Sequence, residues 1–89
     1  MSRNSQTHNE IRLTVLLFAS YAEAIGAASV GVTLVEGSTV DDLLATVRQL
    51  AAGKALPPAA VAVNCEYATR EQRLKPGDEV AIIPPVAGG

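Results

Sequence analysis

One long helix constrains this chain more than any other feature. From Glu36 to Gly53 the sequence reads EGSTVDDLLATVRQLAAG, and Val40, Leu43, Leu44, Val47 and Leu50 recur at helical spacing to make one apolar stripe. Thr39 suits the N-cap. Asp42 stands three residues on, at the acidic position of a capping box, although Asp is a shorter partner there than Glu. Asp41 and Asp42 also bring negative charge to the first turn, where the macrodipole favours it. Gly53 is expected to close the helix. A stripe of this kind must be buried, and the rest of the chain has to supply the surface that covers it.

That surface reads as β-structure. In Ile11 to Phe18 (IRLTVLLF), Ile11, Leu13, Val15 and Leu17 share a uniformly apolar face, which belongs in the core. Arg12, Thr14, Leu16 and Phe18 share the other face. Ala19 to Ile25 reads as a short helix with Gly26 at C′, and Ser29 to Val35 alternates again, with Val30, Val32 and Leu34 to one side. Lys54 to Pro58 is a linker, since Pro57-Pro58 cannot continue a helix. Val61 to Asn64 is a short strand, Cys65-Glu66 a turn, and Tyr67 to Thr69 the return. Lys75-Pro76-Gly77-Asp78 is a turn in which Pro pre-sets φ and Gly supplies φ > 0. Glu79 to Ile83 is the last strand, stopped by Pro84-Pro85, which cannot donate to a ladder. The order β, short α, β, long α, β, β, β predicts a two-layer α+β domain, a mixed sheet covered by one main helix. The expected organisation is a polar N-terminal tail at 1–10, the domain at 11–85 and a flexible tail at 86–89 ending Gly-Gly.

Composition removes several classes of function. A length of 89 residues holds one domain, and 48% hydrophobic residues exclude a disordered chain. With 7 basic against 9 acidic side chains and no basic run, nothing marks a nucleic-acid surface. One Cys and one His supply neither an internal disulfide nor a four-ligand zinc site, so no metal is expected. The first ten residues carry no targeting pattern and no apolar run could span a bilayer, which leaves the cytoplasm as the expected compartment. Side-chain catalysis is poorly supported. His8 lies in the polar tail with nothing to orient it, and Cys65 has only Asn64 and Glu66 beside it, neither of which would lower a thiol pKa. No phosphate-binding glycine loop is present.

The chemistry-bearing feature is the end of the sequence. Pro84-Pro85 makes a stiff exit from a strand, and Val86-Ala87-Gly88-Gly89 follows. Gly-Gly has no side chains and wide φ/ψ freedom, so it can thread a tunnel that a Cβ would obstruct. An α-carboxylate on Gly89 is ionised and inert at neutral pH. Activated as an acyl-adenylate it could accept a sulfide equivalent, and the thiocarboxylate so formed is a sulfur nucleophile on a movable arm. From Pro84 to Gly89 that arm reaches about 20 Å.

On these residues the chain resembles the MoaD family, the small subunit of molybdopterin synthase. Leu74 to Gly89 (LKPGDEVAIIPPVAGG) carries the most specific likeness. Val61 to Asn64 (VAVN), Gly37 to Leu43 (GSTVDDL) and Leu16 to Gly26 (LLFASYAEAIG) follow the family pattern in order and spacing. The polar N-terminal extension departs from it, and Cys65 matches no family role. The resemblance implies a β-grasp (ubiquitin-like) fold. It further implies that an ATP-using, ubiquitin-activating-like adenylyltransferase (MoeB type) activates the carboxylate of Gly89. A sulfur donor such as a cysteine desulfurase or rhodanese then makes the thiocarboxylate. The tail enters the active site of a large subunit (MoaE type), in an expected two-plus-two heterotetramer. There it gives sulfur to cyclic pyranopterin monophosphate, building the molybdopterin dithiolene. On that reading the large subunit holds the catalytic side chains, and the chain binds no cofactor itself.

The residues add a docking surface to this picture. If Leu13, Val15, Leu17, Val80 and Ile82 pack under the long helix, the opposite sheet face carries Leu16, Phe18, Ala81 and Ile83, with Tyr67 beside them. Phe18, Tyr67, Ile83, Pro85 and Val86 are therefore expected to form an apolar patch at the tail root, where partners dock. Three alternatives share parts of the pattern: a sulfur carrier for thiamine or cysteine synthesis, a ubiquitin-like protein modifier whose carboxylate is taken by a lysine, and an interaction module.

Overall fold

In the computed structural model, which describes residues 9–85, the alternating segments pair into one sheet of five strands. The elements run β1 (Glu10–Leu17), α1 (Ala19–Ile25), β2 (Ser29–Val35), α2 (Val40–Leu50), β3 (Ala60–Val63), β4 (Glu66–Tyr67) and β5 (Glu79–Ile83). Across the sheet the order is β2-β1-β5-β3-β4. The first and last strands lie side by side and parallel at the centre, with Val15 opposite Val80 and Leu17 opposite Ile82. Every other pairing is antiparallel.

Register puts all the apolar alternates on one face. Ile11, Leu13, Val15 and Leu17 of β1, Val32 and Leu34 of β2, Val61 and Val63 of β3, and Val80 and Ile82 of β5 are buried together. Val40, Leu43, Leu44 and Val47 of α2, each fully buried, cover them. Each such side chain contributes about 1.5–3 kcal/mol by leaving water, so this face holds the fold together. The capping box forms as the sequence predicts: Thr39 N–H donates to the Asp42 carboxylate at 2.9 Å and Asp42 N–H donates to Thr39 Oγ1 at 3.3 Å.

Several boundaries move. Glu10 opens β1 and Asn9 accepts a backbone bond from Glu36 at 2.9 Å, so the expected polar tail 1–10 gives up its last two residues to the fold. Phe18 leaves the ladder and becomes the N-cap of α1. Leu50, the expected last member of the α2 stripe, is exposed, and Ala51 is buried in its place. At about 100° per residue, Ala51 comes round between Val40 and Leu44, whereas Leu50 stands about 80° off Val40. The helix ends at Leu50, and the chain then passes through left-handed residues at both Ala52 and Gly53, rather than being closed by Gly53 alone. The strand expected at Val61–Asn64 is Ala60–Val63. Its hairpin turns on Asn64-Cys65, both at positive φ, and the return spans only Glu66–Tyr67. Asn64 explains the shift: its backbone N–H donates to Glu79 O at 2.8 Å, and its side chain bonds Asp78 and the Glu79 N–H. Its backbone at φ 52° ends the strand, although its N–H still bonds β5 in register.

Candidate functional site

The opposite face of the sheet has no helix over it, and the same register organises it. Leu16, Ala81, Ala62 and Tyr67 form one row across β1, β5, β3 and β4. Ile83 opposite Ala60 begins the next row, toward the end where β5 stops. Large side chains at the margins and alanines in the middle make a trough. Its deep end is an open depression of about 570 Å³ lined by Pro58, Ala59, Ala60, Tyr67, Ile83, Pro84 and Pro85. On the β2 side the same face turns polar and small, with Thr14 opposite Gly31 and Arg12 opposite Thr33.

The tail therefore leaves from the middle of the sheet. At this end β1 turns away into α1 through Phe18, and β3 enters from the linker through Pro58, Ala59 and Ala60. Pro84 is buried and Pro85 exposed. Neither proline carries an N–H, so neither flanking strand can extend its ladder past Ile83.

Of the residues singled out for docking, Phe18 is 47% and Tyr67 76% exposed, Ile83 is half-buried and Pro85 exposed. Tyr67, Ile83 and Pro85 line the depression, and Phe18 stands outside its lining. Val86, Ala87, Gly88 and Gly89 lie outside the described residues. Among the described residues lining the depression, Tyr67 alone carries a side-chain polar atom. Such an apolar, concave surface is suited to hold another molecule. Cys65 is a free, exposed thiol on the hairpin turn, away from the trough lining. Among the described residues no group of three or more His, Cys, Asp or Glu could hold a metal ion, and no helix is long and apolar enough to cross a membrane.

Two features near the site escaped sequence reasoning. Ala62 and Ala60 make the trough floor as much by being small as Tyr67 makes its rim by being large, and an apolar-periodicity reading passes over alanines. Tyr21 is fully buried, and its hydroxyl donates to Pro57 O at 2.6 Å. Its partners on α1, Ala22 and Ile25, pack against the core. The i, i+1, i+4 spacing of Tyr21, Ala22 and Ile25 was the available signal.

A sheet with parallel first and last strands at its centre, one long helix on one face and a proline-sealed exit from the last strand defines a ubiquitin-like β-grasp protein. Small archaeal modifier protein 1 of H. volcanii shares the fold with a TM-score of 0.74 at 28% identity, covering 85% of this chain and 99% of that one. The chain belongs to the ThiS family, whose model matches residues 15–89. It is 39% identical to the molybdopterin synthase sulfur carrier subunit of Dictyostelium discoideum, over 84% of this chain and 93% of that protein. That likeness bears out the resemblance to the MoaD family. The complex of subunits 1 and 2 of molybdopterin-converting factor from Helicobacter pylori contains a chain of the same fold, with a TM-score of 0.60 at 22% identity, covering 89% of this chain and 100% of that one.

Proposed function

We propose that the chain is the sulfur carrier subunit of a molybdopterin synthase, working in the cytoplasm through a Gly89 thiocarboxylate. The observation that carries this reading is the strand bearing the tail: β5 is central, sealed by two prolines, and opens beside an apolar trough. The 39% identity to a named sulfur carrier subunit supports it.

The chemistry is as follows. A carboxylate oxygen of Gly89 attacks the α-phosphorus of ATP, held by an adenylyltransferase, and pyrophosphate leaves. A sulfide equivalent from the donor attacks the acyl carbon, and AMP leaves with the oxygen that had attacked. In the large subunit the thiocarboxylate sulfur bonds a side-chain carbon of cyclic pyranopterin monophosphate as that carbon's bond to oxygen breaks and the oxygen leaves. Water then cleaves the resulting thioester, leaving the sulfur on the pterin and returning the Gly89 carboxylate, and a second charged carrier repeats the step at the neighbouring carbon. The chain's own residues present the arm and seat the body. Gly88, Ala87 and Val86 thread, while Phe18, Tyr67, Ile83 and Pro85, with Val86 at the tail root, meet the large subunit. Ordering the tail costs about 1–2 kcal/mol per residue in backbone entropy, so burial of the trough has to offset it.

Intact mass tests the reading. Incubation with the adenylyltransferase, ATP and sulfide should add about 16 Da, oxygen replaced by sulfur. Addition of large subunit and cyclic pyranopterin monophosphate should remove the gain. An unchanged mass overturns the proposal. Likeness to small archaeal modifier protein 1 favours a second reading, protein modification through the same activated carboxylate. It predicts a ladder of lysine conjugates on blots of a tagged chain, which a dedicated sulfur carrier does not give.

A further inference from the structure

Among the described core residues, Tyr21 alone brings a side-chain polar atom into the interior. A buried hydroxyl needs a partner, and this one reaches 36 residues along the chain to the carbonyl of Pro57 at 2.6 Å. Pro57 lies in the linker between α2 and β3, where Leu56 and Ala59 pack against the core but polar restraints are few. Pro57 and Pro58 have no N–H to donate. Outside the strand ladder, no backbone hydrogen bond among the described residues ties residues 55–59 to the body. The linker's polar tethers both run to α1: Tyr21 to Pro57, and Lys54 Nζ to the Ala24 carbonyl at 3.3 Å. Immediately after the pinned carbonyl come Pro58, Ala59 and Ala60, which form one wall of the depression beside the tail root.

We infer that Tyr21 is a positioning residue for docking: its hydroxyl fixes Pro57 and so holds the Pro58–Ala60 wall ready for the large subunit. This rests on the docking reading above. A wall already ordered in the free protein spares the complex the entropy of ordering it. The short helix α1 then serves the site from two places. It starts at Phe18, outside the depression's lining, and it tethers the Pro58–Ala60 wall through Tyr21.

Tyr21→Phe keeps the ring and removes the hydroxyl. The test compares it with wild type and with Ile83→Asp, each titrated with the host's molybdopterin synthase large subunit well below the melting temperature. Amide relaxation is measured on the free proteins. Tyr21→Phe should leave β1 and β5 amide signals in place and lower the order of the Leu56 and Ala59 amides. It should weaken binding roughly three- to tenfold, the range spanned by one neutral hydrogen bond. Ile83→Asp should weaken binding more. If Ile83→Asp loses affinity while Tyr21→Phe binds like wild type, the positioning role is overturned and docking stands. A lower melting temperature with unaltered affinity counts the same way. If neither variant loses affinity, the docking reading falls, and this role with it.

Discussion

The two faces of the sheet are cut from the same strands and obey opposite rules. On the α2 face the positions of β1, β3 and β5 are large and apolar, and all are at most 5% exposed. On the open face the central row runs from Leu16 through two alanines to Tyr67, with its largest group most exposed. The closed face is filled so that nothing else fits, while the open face is hollowed so that something else can. Alternation assigns residues to a face, but side-chain size across the strands decides what that face does.

The sharpest way to break this contrast is at the tail, which both faces serve and neither contains. One alanine added after Gly89 should abolish sulfur loading, measured by intact mass, and leave the melting temperature unchanged. Restored molybdoenzyme activity in a cell lacking the gene, with the added residue still attached, would falsify the assignment.

Next in size is the closed face. Leu44→Ala should cost about 2–5 kcal/mol in urea denaturation, from lost transfer energy and the cavity left behind. Affinity for the large subunit, measured where the variant is still folded, should hold. A loss below about 1 kcal/mol would mean that the helix face is not filled as described. The open face should behave in reverse. Ile83→Asp should lower affinity roughly thirtyfold, about 2 kcal/mol, as expected at the centre of an interface. Its effect on folding should be smaller than that of Leu44→Ala, since Ile83 is half-buried on the uncovered face and water can reach the new carboxylate. Equal losses of stability and affinity would erase the distinction between the faces.

Much of this was legible in the sequence, for identifiable reasons. The stripe of α2, the Thr39–Asp42 capping box, the Pro76-Gly77 turn and the inward set of β1 are local patterns whose period or chemistry admits one geometry. Gly26 and Gly77 take positive φ where a helix end and a turn require it. Strand order is non-local, and the parallel β1–β5 pairing came only through the family likeness. The hairpin shifted by one residue because Asn64 takes positive φ, where its side chain bonds Asp78 and Glu79, which no window along the chain contains. Leu74 is a lone apolar residue in a polar stretch, and it is buried because its N–H bonds Ser38 O and its neighbour Arg73 bridges Thr39. At the site, Tyr67 and Ile83 were legible as exposed apolar groups on alternating positions. The wall Pro58–Ala60 was not, because its place depends on the non-local pairing of Ala60 with Ile83 and on Ala59 packing against the core.

The rim of the closed layer gives the two smallest effects and separates capping from charge. Thr39→Ala removes the hydroxyl that accepts from Asp42 N–H, and should cost about 1 kcal/mol in urea denaturation. Arg70→Ala removes the 3.1 Å ion pair with Asp41 at the same helix end, whose side chains are 45% and 67% exposed. That loss should stay within about 0.5 kcal/mol, because an exposed pair gains little in water and is screened by salt. The backbone there also remains satisfied without the guanidinium: Val40 N–H donates to Gln72 O at 2.9 Å and Asp41 N–H to Arg70 O at 3.0 Å. Both bonds survive the alanine substitution, so the 69–73 segment should keep its seat on α2. If Arg70→Ala instead costs as much as Thr39→Ala, and the cost vanishes in high salt, charge rather than backbone capping holds that segment in place.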